Sequence, residues 1–375
     1  MNIIILNFIL STAVGGRIIR RESNRDTMIY NMARGFVKAG HRVTLLASEE
    51  YRQTGEECED FDVVYFKSRM PRLFKPAVLP YPVGLGKWLR RHRDAIDMAL
   101  TVETFSMPTL IAARNIGKKL MIWQEMAFHQ HMMGGVPAKL WYNVVARGFL
   151  QHIPVVPQSD SAYRFISRYM KRVTPTTIGH GSDSDVFYPS EETTPEPYFT
   201  IISMLVARKQ IDRIIRKFAA FTREYPDMAH YKLRIVGEGP EKEELETVAR
   251  EEGVADHVVF HGFMNHREFA DIERRSAALL INTRQDNNMV TVPEAIVNGT
   301  PVLTNRVPNN AAFVEESGTG IAKAEWDHTD LRRMVDEYAT FHANCVAARE
   351  RFTNRGVAAK LTELFKNRLD EVNFH

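Results

Sequence analysis

The sequence predicts an α/β protein of two domains, each built on strands that alternate with helices. Three observations carry that expectation. Apolar runs of strand length alternate with amphipathic stretches through both halves of the chain. The 375 residues suffice for two domains of ordinary size. Near the middle, Ser190-Glu-Glu-Thr-Thr-Pro-Glu-Pro197 is polar and proline-rich, as a linker is.

Composition narrows the class. With 44% hydrophobic and 25% charged residues, the chain has the make-up of a globular protein and not of a disordered one. The apolar run 3–10 is too short to span a bilayer. It lacks a basic flank and a small-residue cleavage site, so it reads as a buried strand and not as a signal peptide. Cys58 and Cys345 lie far apart and make neither a metal cluster nor a disulfide framework, which fits a reducing, cytoplasmic location. The net charge of +3 hides an asymmetry: residues 1–190 hold 25 Lys and Arg against 16 Asp and Glu, and residues 191–375 hold 24 against 30. A basic half suits an anionic membrane surface or a phosphorylated acceptor. Nucleic acid is not an expected partner, because no aromatic interleaving or reader motif accompanies the charge.

In chain order, strand 3–10 runs into a turn holding Gly15 and Gly16, then a helix over 26–39 that Gly40 stops, then strand 41–47. This is a βαβ opening, in which paired glycines let the backbone approach a ligand closely. No GxGxxG is present, so a dinucleotide site is not indicated. Arg17, Arg20, Arg21 and Arg25 crowd behind the turn. Strand 62–66 is followed by a proline-rich stretch at 70–84 and a helix at 85–96. That helix carries Lys87, Arg90, Arg91 and Arg93 beside Trp88 and Leu89, the pattern of an interfacial helix. Strand 98–102 ends at Glu103, and strand 119–125 ends in Gln124 and Glu125, with His129 and His131 just beyond. Polar residues at the carboxyl end of a strand stand where open α/β sheets bind ligands. A strand at 152–156 and a helix at 159–171 complete the first half.

The second half opens with strand 198–204, the segment Ala207-Arg208-Lys209, and a helix to about residue 225. Strand 232–236 leads into Gly237-Glu-Gly-Pro240 and a helix over 241–251; strand 258–264 contains Gly262-Phe263. A helix at 265–276 and a strand at 277–281 precede the most informative stretch. There Asp286-Asn287-Asn288-Met289-Val290 forms a polar loop, and a short helix carries Pro293 and Glu294. Gly299 ends that helix and Pro301 begins the next strand. Amides at the helix N-terminus suit a phosphate, and carboxylates at positions 286 and 294 suit hydroxyls. Together they suggest a sugar nucleotide. The tail over 331–372 reads as largely helical, with Leu361, Leu364, Phe365 and Leu369 on one stripe.

An acid, seven residues, then Glu-Ala and a Gly-x-Pro-Val strand resemble the donor-site signature of retaining GT-B glycosyltransferases of the GT4-like group. The segment Gly181-Ser-Asp183, with Phe187 and Pro189 beyond it, and Gly237-x-Gly-Pro240 are similar to that group as well. The resemblance implies the GT-B fold: two Rossmann-like domains facing each other across a cleft, with a last helix crossing back to the first. Its boundaries would be 1–189 for the acceptor domain, 190–197 for the linker, 198–355 for the nucleotide-sugar domain and 356–375 for the last helix.

The resemblance also implies roles. The donor would be a nucleoside diphosphate sugar and the acceptor a glycan or lipid-linked hydroxyl, with retention of configuration, no cofactor and no metal. Asp183-Ser-Asp185 is spaced like a metal-binding pair but stands in the interdomain segment. Lys209 would offset charge on the leaving diphosphate, helped by the amides of Asn287, Asn288, Met289 and Val290. Asp286 would hold sugar hydroxyls, Glu294 the ribose, and Gly237, Gly262 and Phe263 would lie by the nucleotide. Gly15 and Gly16 would face the phosphates from the first domain. The group's usual histidine there has no single counterpart, leaving Gln124, Glu125, His129 and His131 in view, of which Glu125 and His129 are taken as catalytic candidates. The group's Gly-Arg pair before the lysine reads Ser203-Met204, so one cation is missing and Arg208 or Arg213 is the substitute. A sugar-nucleotide epimerase and a non-catalytic sugar-nucleotide-binding partner are the rival readings.

Overall fold

A computed structural model describes residues 1–11, 17–56, 58–127, 135–192, 194–286 and 289–370, with side chains through residue 367. They gather into two compact units, Met1–Gly181 with Asn354–His375, and Ser182–Thr353.

The first unit is built on six parallel strands: β1 (Asn2–Leu6), β2 (Arg42–Ser48), β3 (Asp62–Phe66), β4 (Met98–Val102), β5 (Leu120–Gln124) and β6 (Val155–Pro157). Their order is β3-β2-β1-β4-β5-β6, a doubly wound sheet. The central strands are apolar almost throughout because helices cover both faces. Those helices are α1 (Met28–Lys38), α2 (Leu85–His92), α3 (Met107–Ile116), α4 (Val136–Leu140), α5 (Arg147–Phe149) and α6 (Asp160–Ile166), with a π-turn over Trp141–Ala146 joining α4 to α5. The stretch 136–149 was not anticipated from sequence as a helix.

Helix α2 corrects one expectation. Leu85 and Leu89 are fully buried, and Trp88 packs edge-on to Phe66 and stacks on His92. Its apolar side chains face the unit's own core, so only the basic residues remain outside.

In the second unit, β7 (Tyr198–Ile202), β8 (Lys232–Val236), β9 (Val258–Gly262), β10 (Leu279–Ile281), β11 (Val302–Asn305) and β12 (Gly320–Lys323) are all parallel. The order β12-β11-β10-β7-β8-β9 repeats the first sheet's winding. The helices are α7 (Ile211–Glu224), α8 (Lys242–Glu251), α9 (His266–Arg274), α10 (Thr291–Asn298), α11 (Ala311–Ser317), α12 (His328–Asp336) and α13 (Tyr338–Ala348). Asn265 and Glu268 close a reciprocal capping box at the start of α9.

The division between the units falls at 181/182, ahead of the proline-rich stretch. Phe187 is buried against Phe269, and Arg274 donates to the carbonyls of Tyr188 and Val186. Arg275 holds Glu196 at 2.7 Å. Burial of one aromatic ring and these bonds draw residues 182–197 onto the second unit.

The chain returns to the first unit at Asn354, and α14 (Asn354–Asp370) packs along α1. Val357, Ala358, Leu361 and Phe365 join the core around Phe36; the Leu369 side chain lies outside the described residues. The approach needs Gly35, because a Cβ there would stand 2.3 Å from the Asn354 carbonyl oxygen. Asn354 also donates to Asn31 Oδ1 at 2.8 Å.

Candidate functional site

An open parallel sheet forms a ligand crevice at the carboxyl ends of the two neighbouring strands whose connections leave in opposite directions. In the second unit these are β7 and β10. The segments leaving them carry Arg208, Lys209, Asp286 and Met289. Asp286 Oδ2 accepts from Lys209 Nζ at 2.5 Å and from Arg208 Nη1 at 2.9 Å. Lys209 Nζ also lies 3.9 Å from Met289 Sδ. The Lys209 and Asp286 side chains are only 11% and 17% exposed, whereas Arg208 is 44% exposed. Burial alone would raise the Asp286 pKa, but the bond and charge of Lys209, then those of Arg208, outweigh it and hold the carboxyl below its usual range.

Backbone bonds fix these groups. Lys209 ends a 3₁₀ turn, Ala207–Lys209, and α7 follows at Ile211. The Arg208 carbonyl accepts from Arg284 N at 2.8 Å and from Thr283 Oγ1 at 3.0 Å, which staples the two segments together. Asn305, at the end of β11, grips both backbone groups of Thr283. Beneath lies a void of about 10 Å³ bordered by Ser203, Lys209, Thr283 and Met289, room for no more than one water.

Of the two arginines considered for the place of the missing cation, Arg208 stands beside Lys209 on the Asp286 carboxylate. Met204 points outward at 60% exposure, while Arg208 shares the Asp286 oxygen with Lys209. Ser203 Oγ is buried with no hydrogen-bond partner among the described residues.

Glycines shape the neighbouring rim. Gly237 has φ +133°, and a Cβ there would stand 1.9 Å from the Ser203 carbonyl oxygen. Its N–H donates to the Gly262 carbonyl, so the ends of β8 and β9 close on each other beside β7. Phe263 follows, 75% exposed, with its N–H 3.4 Å from Glu238 Oε1. An aromatic ring held this far out of the core is free to stack.

Glu294 sits in the first turn of α10 and is buried, with its Oε1 3.4 Å from His266 Nε2. Burial pushes its pKa up, and the His266 bond and charge pull against that. Behind it Glu273 is also buried. Desolvation, then the charge of Glu294, pushes Glu273 well above the carboxylate range, and Asn298 donates to it at 2.8 Å. Thr291 Oγ1 is buried without a hydrogen-bond partner among the described residues, at the first position of the same helix. Of the phosphate-binding candidates, Met289 is buried, Val290 is 53% exposed, and Asn287 and Asn288 lie outside the described residues.

The first unit has its own cluster at the carboxyl ends of β4 and β5. Glu103 has a left-handed backbone (φ +77°), a costly conformation for a residue with a Cβ. Its Oε1 accepts from Glu125 N and Met126 N, both at 2.8 Å, and its Oε2 from Gln124 Nε2 at 2.5 Å. Burial, with the charge of Glu125 next, pushes its pKa up to about 8. Glu125 itself points to His180, whose Nε2 is 3.8 Å away, and that imidazole lowers its pKa. His180 stands edge-on to Trp123, and its Nδ1 is buried with no hydrogen-bond partner among the described residues. His129, His131, Gly15 and Gly16 lie outside the described residues. Sequence reasoning passed over Glu103 and His180 as site residues. The signal for Glu103 was its place directly after a strand; for His180 there was none, because a distant segment brings it to Glu125. The arginines behind the first turn disperse, Arg20 to the Glu49 carbonyl and Arg25 to Glu59.

With this geometry in view, comparison with known proteins gives a consistent answer. Residues 185–356 match the family described as glycosyl transferases group 1. The GDP-mannose-dependent alpha-(1-6)-phosphatidylinositol monomannoside mannosyltransferase of Mycolicibacterium smegmatis is 29% identical over 52% of this chain and 56% of its own length. The chain thus spans about half the length of the curated relatives it matches. A glycosyltransferase structure from Rickettsia africae superposes with a TM-score of 0.64 at 12% identity, covering 100% of this chain and 99% of that one. Anabaena HepE in complex with UDP gives 0.61 at 13%, covering 98% and 100%. The fold is GT-B, two Rossmann-like domains. The match over residues 185–356 is consistent with the resemblance of this chain to the GT4-like group.

Proposed function

We propose that this protein is a retaining, metal-independent glycosyltransferase that moves a sugar from a nucleoside diphosphate sugar to a hydroxyl of a glycan or lipid-linked acceptor, in the making of a cell-surface polysaccharide or glycolipid. The observation that carries this reading is the cluster of two cations on one carboxylate at the β7/β10 switch point. In the absence of donor, Asp286 holds Lys209 and Arg208 in place. When the diphosphate enters, its oxygens take over the cations, and the released carboxylate accepts hydrogen bonds from sugar hydroxyls.

In the transfer, the bond from the anomeric carbon to the phosphate oxygen breaks while the acceptor oxygen bonds that carbon on the same face. The acceptor proton passes to the departing phosphate. Lys209 and Arg208 stabilise the charge that develops there, the role a divalent ion plays elsewhere. Glu294 binds the ribose hydroxyls, and Gly237, Gly262 and Phe263 border the base. On the first unit, Glu125 and His180 orient the acceptor.

The mycobacterial relative is named as GDP-mannose-dependent, with a phosphatidylinositol mannoside acceptor, and HepE was crystallised with UDP. Both donor bases therefore enter the test. A thermal-shift series with UDP, GDP, ADP and TDP selects the base, because a ligand that binds only the folded state raises the melting point. Turnover of the matching sugar nucleotide should persist in EDTA and fall on the order of a hundredfold in Lys209→Ala. A near-normal rate in that variant removes Lys209 from the mechanism. Tight nucleotide binding with no release of diphosphate makes the protein a binding module instead.

A further inference from the structure

We propose that the outward face of the helical stretch 136–149 docks on an anionic lipid bilayer. The stretch is apolar on both sides. Its inner face, Ala138, Trp141, Tyr142, Ala146 and Leu150, is buried in the first unit's core. Its outer face carries Val136, Leu140 and Val144 at four-residue spacing, with Phe149 beyond, and these are 78%, 62%, 51% and 49% exposed. A helix on the surface of a globular protein ordinarily turns polar residues outward, and a continuous outward apolar stripe marks a contact surface.

Charge chooses the occupant. No Asp or Glu occurs between Glu125 and Asp160, while Lys139 and Arg147 flank the stripe. Arg114 extends its guanidinium over the Phe149 ring at 5.2 Å. An apolar stripe flanked by Lys139, Arg147 and Arg114 matches the acyl boundary and phosphate headgroups of an anionic bilayer. A second copy of the same face would bring like charges together, which disfavours a symmetric dimer there. None of the described helices is long and apolar enough to cross a membrane.

The position gives the contact a use. The helical stretch comes after β5 in the chain, and Trp141 Nε1 on its inner face donates to the Thr104 carbonyl, next to Glu103. The inner face of the stretch therefore packs beside the proposed acceptor edge, and a bilayer held by the outer stripe would bring lipid-borne hydroxyls to the unit that carries Glu125 and His180. This last step rests on the glycosyltransferase reading; the membrane contact does not.

Co-sedimentation of the full chain with phosphatidylcholine vesicles, with and without phosphatidylglycerol, tests it. The protein should pellet with the anionic vesicles at low salt and be released as salt rises. Leu140→Ser and Val144→Ser, both at exposed positions, should each weaken partition about tenfold. Lys139→Glu should weaken it about fivefold or more. Wild-type-like pelleting of the Leu140→Ser/Val144→Ser double variant would overturn the proposal, as would equal binding to neutral vesicles. It is also overturned if Arg91→Glu on α2 abolishes pelleting and the serine variants do not. A dimer in sedimentation velocity that Leu140→Ser disperses would assign the face to a second copy and end the membrane assignment. Lys209→Ala should pellet like wild type, so failure of donor turnover and failure of docking are read separately.

Discussion

Asp286 illustrates how a residue's partners decide its role. The sequence marks Asp286 as one acid of a pair in a polar loop, and in the structure two cations hold it ionised in a largely buried place. Glu294 presents the opposite balance: it is a buried acid pushed upward, with His266 alongside and Glu273 behind. Glu294→Gln keeps the shape and loses the charge, so donor affinity should fall about tenfold in a titration with the preferred nucleotide. Unchanged affinity would move the ribose elsewhere. Glu103 makes a prediction about stability. Its folded pKa of about 8 lies above that of an unfolded glutamate, so the folded state keeps a proton that the unfolded chain gives up. Stability is therefore fullest at low pH and is lost as pH rises from about 4.5 through about 8. The melting temperature should drop between about pH 6 and pH 8.5, and Glu103→Gln should remove much of that drop. The buried Glu273 and Glu294 contribute with the same sign.

At the scale of elements, the site is made where strands end. The β8 turn shows how little room is available: Gly237 combines positive φ with a backbone oxygen at 1.9 Å from any Cβ. Gly237→Ala should destabilise the second unit by about 2 kcal/mol or more and weaken nucleotide binding together. Urea denaturation and a nucleotide titration measure the two effects, and loss of neither would mean that the turn shifts freely. Helix α10, its Gly299 stop and the strand after it were legible because turn chemistry is local: a proline in a first turn and a glycine after the last one act through their own backbones. The short α10 was visible for that reason. The helix 136–149 was not, since its apolar residues fall on both faces and break the single-stripe pattern that sequence reading relies on. Strand β12, only four residues long at the sheet edge, likewise gave no pattern of its own. Helix α2 was visible as a helix, but its basic residues suggested an interfacial face that burial of Leu85 and Leu89 removes.

For the whole molecule, two units with matching strand orders each have a crevice position, and among the described residues only the second concentrates cations on a carboxylate there. A saturating donor nucleotide should therefore stabilise the second unit by about 2.7 kcal/mol at a hundred times Kd. In calorimetry, one transition should shift with nucleotide more than the other, and equal shifts of both would argue against a donor site confined to that unit. The sequence by itself determined the alternation of strands and helices, the acid pair at 286 and 294, the lysine at 209 and the return of the chain at its last helix. These depend on periodicity, turn residues and spacing within short stretches. Tertiary structure alone decided that Arg208 shares the Asp286 carboxylate with Lys209, that His180 meets Glu125, that Glu103 is buried in a strained backbone, and that residues 182–197 belong to the second unit. Each of those depends on segments far apart in the chain being packed together, and burial and long-range contact leave no local trace in the order of residues.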